Sequence, residues 1–352
     1  MTAKRDTAHT ETVLRVHYPI TDGRIVLRCD SDWDADIEAS SLSSDAQCTV
    51  FRVSLDRPFR YYKPVLAQGN ARQWAQGKNY LLLAHGPREQ SVYPYFFEDR
   101  GCTVCDVEQL ATPDASAHYA FRVFTPPGYG ENTLKRYPVL YLQDGQNVFF
   151  PSESFSGADW RIRETLSLLN DMNVIDKVIA VGIYPQSREK DYTLPGYESY
   201  GQVVAQTLKA RIDRDYRTLD SARDTAVMGS SLGGVVSLYL AWQWPGVFGM
   251  AACLSSTFGW RDDLLLRIAA EPSRDIRIYL DSGWPQDNYE VTRDMQALLS
   301  TRGYSHGGNL QYFAFPGAHH NEKAWALRSH LPFQFLFSHR PAPTRPLVAQ
   351  RE

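Results

Sequence analysis

The stretch AVMGSSLGGVVSLYLAW, Ala226 to Trp242, decides how the rest of the chain is read. Its first residues close an apolar strand-like run, DTAVMG, and its last twelve, SLGGVVSLYLAW, read as a helix that is apolar nearly all round. A strand that feeds directly into a helix is the setting of a nucleophile elbow. In that tight turn a serine takes a strained backbone and lifts its hydroxyl above the sheet. The residues two before and two after the serine must be tiny, because strand and helix come close there. Gly229 and Gly233 flank Ser231 in this way, whereas Ser230 would be flanked by Met228 and Leu232. Ser231 is therefore the candidate nucleophile, and Gly234 adds room for close helix packing. G-x-S-x-G arises by chance in roughly one chain of this length in ten, so the motif takes its weight from its place between strand and helix.

Outward from the elbow, residues 118–340 alternate between strand and helix patterns. Strand-like runs are YAFRVFTP, PVLYLQDG, VIAVGIYP, DTAVMGS, MAACLSS, DIRIYLDSG and NLQYFAFPG, several of them almost wholly apolar. Such runs fit a mostly parallel sheet covered by helices on both faces, an α/β fold with right-handed crossovers. Residues 10–105 are different. Short β-rich runs such as TDGRIVLRCDSDW, AQCTVFRVSLD and NYLLLAHG sit between turn residues, which predicts a smaller all-β sandwich domain. Residues 106–117 read as a polar linker, and 341–352, with three prolines and no period, as a disordered tail.

A serine hydroxyl is a weak nucleophile and needs a neutral imidazole to take its proton and return it to the leaving group. An acid and then a histidine should follow it in the chain, at the ends of later strands. His319 and His320, in FAFPGAHHNEKAW, lie just after the last strand-like run. The preceding run, IYLDSGWPQDNYE, offers Asp281, Asp287 and Glu290 as the acid. Asp281 lies nearest the strand end, and Asp287 stands just before a helix, where capping is its alternative role. For the oxyanion hole, one donor is the backbone N–H of Leu232, directly after the nucleophile. Gln146, in QDGQN after an early strand, is the choice for the second. Trp160, Arg188, Tyr192 and Trp260 fall in loops on the same side of the sheet. They are candidate substrate-binding residues, suited to an aryl or multi-ring acyl group carrying some negative charge.

The remaining composition narrows the function classes. The chain has 352 residues, 43% of them hydrophobic, and a net charge of −3, so no basic footprint for nucleic acid is expected. No apolar run reaches the length of a membrane span. MTAKRDTAHTET carries no signal core, which points to a cytoplasmic protein. The five cysteines are odd in number and scattered, and Cys102 and Cys105 form a single C-x-x-C without a second ligand pair. No metal or other cofactor is expected, and no phosphate-cradling P-loop pattern is present.

With these residues in hand, the chain resembles the putative esterase family of α/β-hydrolases, which includes enterochelin (siderophore) esterases, feruloyl and acetyl-xylan esterases and S-formylglutathione hydrolases. The resemblance rests on YPVLYLQDGQNVFF, RDTAVMGSSLGGVVSLYLAWQWPGVFG, YLDSG and GAHHNEKAW, and covers roughly residues 118 to 338. It implies the α/β-hydrolase fold. The family's G-x-x-H-N-x-x-x-W falls on Gly317, His320, Asn321 and Trp325, which selects His320 over His319. Many relatives carry the acid three residues after the glycine of the strand-end D-x-G. Gln286 stands there in this chain and Asp287 one further on, so the expected triad is Ser231, His320 and Asp287, with Asp281 the alternative acid. The front domain resembles the immunoglobulin-like module of enterochelin esterases. Trp33, Trp74, Tyr61 and Tyr62 are either a sugar-stacking surface or ordinary sandwich core. The expected activity is hydrolysis of a small-molecule or oligosaccharide ester, such as a siderophore lactone or a carbohydrate-linked acetyl or hydroxycinnamoyl group, through an acyl-enzyme. The alternatives are a thioesterase and a non-catalytic binding protein on the same scaffold.

Overall fold

The computed structural model describes residues 10–43, 47–97, 103–112 and 118–338. In the N-terminal part, two sheets face each other. One has the order β4–β5–β1–β9, from Thr10–His17 (β1), Ser41–Leu42 (β4), Cys48–Leu55 (β5) and Glu89–Val92 (β9). The other has the order β3–β2–β6–β7, with β8 also paired to β6. Its strands are Arg24–Cys29 (β2), Asp32–Ile37 (β3), Phe59–Gln68 (β6), Ala71–Trp74 (β7) and Tyr80–Leu83 (β8). In β5 every second residue, from Thr49 to Leu55, is buried, the period of a strand with one face on a core. Leu14, Val16, Phe51 and Val53 of the first sheet meet Ile25, Leu27, Tyr62 and Leu66 of the second. Tyr62 is thus core, stacked on Tyr80 with ring centroids 5.5 Å apart. Trp33 and Trp74 are half-buried neighbours at 6.1 Å, with Arg28 over the Trp74 ring, and Tyr61 is exposed.

Among the described residues, nine strands form the second module's sheet, in the order β10–β12–β14–β13–β15–β16–β17–β18, with β11 paired to β12. They are Thr103–Val104 (β10), Glu108–Ala111 (β11), His118–Thr125 (β12), Val139–Leu142 (β13), Ile179–Tyr184 (β14), Thr225–Ser230 (β15), Met250–Leu254 (β16), Arg277–Trp284 (β17) and Leu310–Pro316 (β18). From β14 to β18 all neighbours are parallel, and β12 joins β14 antiparallel. This is the α/β-hydrolase arrangement, preceded by an all-β module. The segment read as a linker is partly sheet: β11 pairs with β12 from Glu108 against Phe121 to Ala111 against His118. Residues 113–117, the tail 341–352 and Cys102 of the C-x-x-C lie outside the described residues.

Helices cover both faces of the sheet. Val139 and Tyr141 of β13 point into one apolar layer, Leu140 and Leu142 into the other. The first layer is closed by Gly196–Gln202 (α3), Lys209–Asp215 (α4), Leu232–Gln243 (α5), Leu264–Ala270 (α6) and Tyr289–Thr301 (α7). The second is closed by Ile162–Asp171 (α1) and His330–Phe337 (α9). The short helices Arg188–Tyr192 (α2) and Glu322–Arg328 (α8) lie beside the strand ends. In α5 every residue from Leu232 to Trp242 is buried, which accounts for its lack of a polar face. The two modules are joined by short polar contacts. Asn132 Nδ2 donates to His17 O and Pro94 O at 2.9 and 2.7 Å, and Glu131 accepts from the N–H groups of Phe96 and Phe97 and from Tyr18 Oη.

The elbow glycines are fixed by close approach. A Cβ at Gly229 would lie 2.4 Å from the carbonyl carbon and oxygen of Gly233. One at Gly234 would meet Ser256 Oγ at 2.0 Å, a side-chain end able to swing aside. Gly229→Ala is expected to cost about 3 kcal/mol or more of stability, because backbone must move, and Gly234→Ala less. Urea unfolding of both variants checks this, and equal losses would contradict it.

Candidate active site

Ser231 sits between β15 and α5 with φ 56° and ψ −123°, a conformation that non-glycine residues rarely hold without compensation. Its N–H donates to Leu254 O of β16 at 2.9 Å, so the sheet ladder grips the chain up to the bend. Its carbonyl accepts from the N–H groups of Gly234 and Val235 in the first turn of α5. The residue is 9% exposed, against 2% for Ser230, the last residue of β15.

The neighbouring loop after β13 is pressed against this turn. A Cβ at Gly233 would lie 3.1 Å from Gln143 Cβ and 3.2 Å from Asp144 Oδ2. Asp144, with φ 57°, makes the left-handed step there. Gly145 is required by close approach: its Cβ would lie 2.6 Å from the Gly182 carbonyl carbon of β14. Gln146 follows in the single turn Gly145–Asn147. Asp144 is buried, and burial pushes its carboxyl up, while the Arg188 guanidinium opposes that rise. The pairing is two-pronged, Nε to Oδ1 at 2.7 Å and Nη2 to Oδ2 at 3.1 Å.

His320 lies in the loop between β18 and α8. Asn321 is the N-cap of α8, its side chain accepting from Ala324 N–H at 3.0 Å, which fixes the chain one residue past the histidine. The His320 ring meets Trp325 edge to face at 5.1 Å, and its Nδ1 lies 2.6 Å from Asp287 Oδ1. A carboxylate only accepts, so Nδ1 carries the hydrogen, and in the neutral imidazole the lone pair then lies on Nε2. Asn288, not Asp287, is the N-cap residue of α7. Asp287 Oδ2 accepts from Ser255 Oγ at 2.6 Å and from Gly283 N–H at 2.8 Å. Burial raises the Asp287 carboxyl, but the hydrogen bonds from His320, Ser255 and Gly283 outweigh it and hold the group below the usual carboxylate range. Asp281 does not touch His320. It is fully buried, bonded to Arg328 Nε at 3.1 Å and to Tyr279 Oη at 3.0 Å, and burial pushes it up to about 6 against the pull of Arg328.

Two residues expected to line the substrate site present no surface to it. Trp160 is 1% exposed, its ring 5.8 Å from Trp325, so it backs the residue that supports His320. Tyr192 is fully buried, and its Oη accepts from Asp144 N–H at 3.1 Å, holding the β13 loop. A position after a strand marks the correct edge of the sheet but not the direction of the side chain. Arg188 and Trp260 are open to solvent, Trp260 with the Arg261 guanidinium 5.5 Å from its ring. Trp284, the last residue of β17, and Phe155, beyond β13, are also exposed, at 47% and 82%. Ser255 and Arg328 went unnoticed; the polar pair ending MAACLSS was the available signal for Ser255. A separate cleft of about 1180 Å³ opens between the modules, lined by Lys78, Tyr93, Lys135 and Lys177 among others, and none of the site residues borders it.

Residues 115–332, which contain the elbow, Asp287 and His320, match the family model described as "Putative esterase". The chain belongs to the Putative esterase family. It is a carboxylic ester hydrolase. Among curated relatives of this esterase, "Uncharacterized protein YbbA" of Bacillus subtilis is 20% identical over 199 residues, 52% of this chain and 74% of that protein. Among solved structures it is similar to a ferulic acid esterase, with TM-score 0.56 and 16% identity over 66% of this chain and 98% of that one. It is also similar to the enterobactin esterase of Shigella flexneri, solved in the presence of 2,3-di-hydroxy-N-benzoyl-glycine, with TM-score 0.52 and 14% identity. That match covers 95% of this chain and 94% of the other, and so includes the all-β module. Among the described residues, no helix of the esterase is long and apolar enough to cross a membrane, and no group of three His, Cys, Asp or Glu side chains could hold a metal ion.

Proposed function

We propose that the esterase works through Ser231, His320 and Asp287. Ser231 Oγ attacks the ester carbonyl carbon while His320 Nε2 takes its proton. Asp287 Oδ1 keeps the imidazole in the correct tautomer and stabilises the imidazolium that forms. The N–H groups of Leu232 and Gln146 receive the oxyanion. The first N–H groups of a helix have no acceptor within it, so that of Leu232 is free for this task. His320 then passes the proton to the leaving alcohol oxygen. A water, deprotonated by the same Nε2, attacks the acyl carbon, and the acid is released as Ser231 recovers its proton. The observation that carries this reading is the backbone of Ser231, held at φ 56° between strand and helix with glycines where any Cβ would meet backbone or packed side chains.

For the substrate, we propose a siderophore-type lactone in preference to a carbohydrate-linked acetyl or hydroxycinnamoyl ester. Support comes from the extent of the likeness: the ferulic acid esterase matches 66% of the chain, the enterobactin esterase 95%, all-β module included. Steady-state kinetics with a catecholate trilactone, a feruloyl sugar and an acetylated sugar tests the choice. The expected order places the trilactone first by at least tenfold in kcat/KM. A higher value for either sugar ester would reject the lactone reading while leaving the triad untouched.

A further inference from the structure

Behind Asp287 lies a buried polar cluster that the reaction steps above do not use. Ser255 follows directly after β16 with φ 47° and is completely buried. A serine in the left-handed region is strained, and such strain persists only where the surroundings fix the residue. Its Oγ is 2.6 Å from Asp287 Oδ2, 2.6 Å from Arg328 Nη2 and 3.0 Å from Trp325 Nε1. Its N–H donates to Asp281 O at 2.7 Å, and its own carbonyl accepts from Asn288 Nδ2, also at 2.7 Å. Guanidinium and indole nitrogens can only donate, so Arg328 and Trp325 occupy the two lone pairs of the Ser255 hydroxyl. The single hydroxyl proton then has one place left to go, Asp287 Oδ2.

Arg328 is anchored in turn. It is 4% exposed, its Nε donates to Asp281 Oδ1, and its Nη2 stands 3.5 Å from Asp287 Oδ2. One buried cation thus stands between two buried carboxylates, with Asp281 on the side away from His320. Asp287 Oδ2 is filled by Ser255 and Gly283, and Oδ1 is left to His320 alone.

We infer that Ser255 is a positioning residue for ester hydrolysis: its hydroxyl, aimed by Arg328 and Trp325, stops Asp287 from rotating and so holds His320 in line with Ser231. The inference rests on the triad reading, and a double-mutant cycle separates the two. Asp287→Ala, Ser255→Ala and the double variant are compared by kcat, KM and thermal midpoint. Ser255→Ala is expected to lower kcat between ten- and a hundredfold, as lost support around a catalytic group typically does. KM should stay within threefold, since Ser255 is buried away from substrate. In the Asp287→Ala background the same replacement should change kcat by less than twofold, because the group it positions is gone. A Ser255 loss of equal size in both backgrounds, or no loss in the wild-type background, overturns the proposal. If Asp287→Ala itself costs less than tenfold, the triad reading fails first, whatever Ser255 does. Should Ser255→Ala not fold, Ser255→Gly, which also lacks the hydroxyl and adopts the positive φ without strain, replaces it in the same cycle under the same criteria.

Discussion

Replacing Ser231 by alanine is expected to lower kcat by on the order of 10⁴ to 10⁶, with KM little changed and the fold intact. The effect is this large because the acyl-enzyme route is removed outright, leaving only what the oxyanion donors and binding contribute. The fold should survive because the bend is held by parts of the turn other than the hydroxyl: the N–H bond to Leu254, the accepting carbonyl, and the glycines at 229 and 233. Alanine also carries the same Cβ as serine, so the positive φ costs no more than it does already. Ser230→Ala is the matched control. Ser230 belongs to β15, is 2% exposed, and should retain activity within a few-fold. A Ser231→Ala enzyme keeping more than a tenth of wild-type activity would refute the assignment.

The second large effect is expected at Asp287. Asp287→Asn should lower kcat by about 10⁴ at neutral pH, because an amide in place of Oδ1 can donate to Nδ1 and drive the imidazole hydrogen onto Nε2. The base would then face Ser231 with an N–H instead of a lone pair. Stability should move in a defined direction as well. Hydrogen bonds hold the Asp287 carboxyl below its ordinary range, so its ionised form stabilises the fold above the unfolded carboxylate pKa. That contribution disappears as pH falls through the folded value. The stability gap between wild type and Asp287→Asn should therefore be full at pH 7 and shrink as the solution is acidified below about pH 4. Asp281→Asn discriminates between the two carboxylates. It disturbs Arg328 and should cost stability, yet its effect on kcat should remain at least a hundredfold smaller than that of Asp287→Asn. The reverse ranking would move the acid to Asp281.

Much of the fold was legible because burial leaves a plain mark on composition. VLYL, TAVMGS and MAACL are buried throughout and mostly apolar since both of their faces are covered, and CTVFRVSL alternates since only one is. The steric argument at Gly229 and Gly233 is local, spanning five residues, and needs no knowledge of the rest of the chain. The short strand EQLA was hidden for the opposite reason. It is only four residues long with a single buried side chain, lies at the sheet edge beside β12, and reads as a connection. At the site, the stretch from β17 into the start of α7 narrowed the acid to three residues. It could not separate Asp281 from Asp287, because that depends on side-chain direction and on Arg328, a residue 47 positions further on. Ser255 is 73 residues from Arg328, and nothing in local spacing links them. Trp160 and Tyr192 mark the same limit: the sequence placed them at the right edge, and packing turned both inward.

The account depends on one hydroxyl standing at the elbow as the attacking group. Incubation with a fluorophosphonate, followed by intact-mass measurement and peptide mapping, tests it directly. One adduct per chain is expected, on the peptide containing Ser231, lost in Ser231→Ala and retained in Ser230→Ala. An adduct on another residue, or an unlabelled enzyme that still hydrolyses esters, would contradict it.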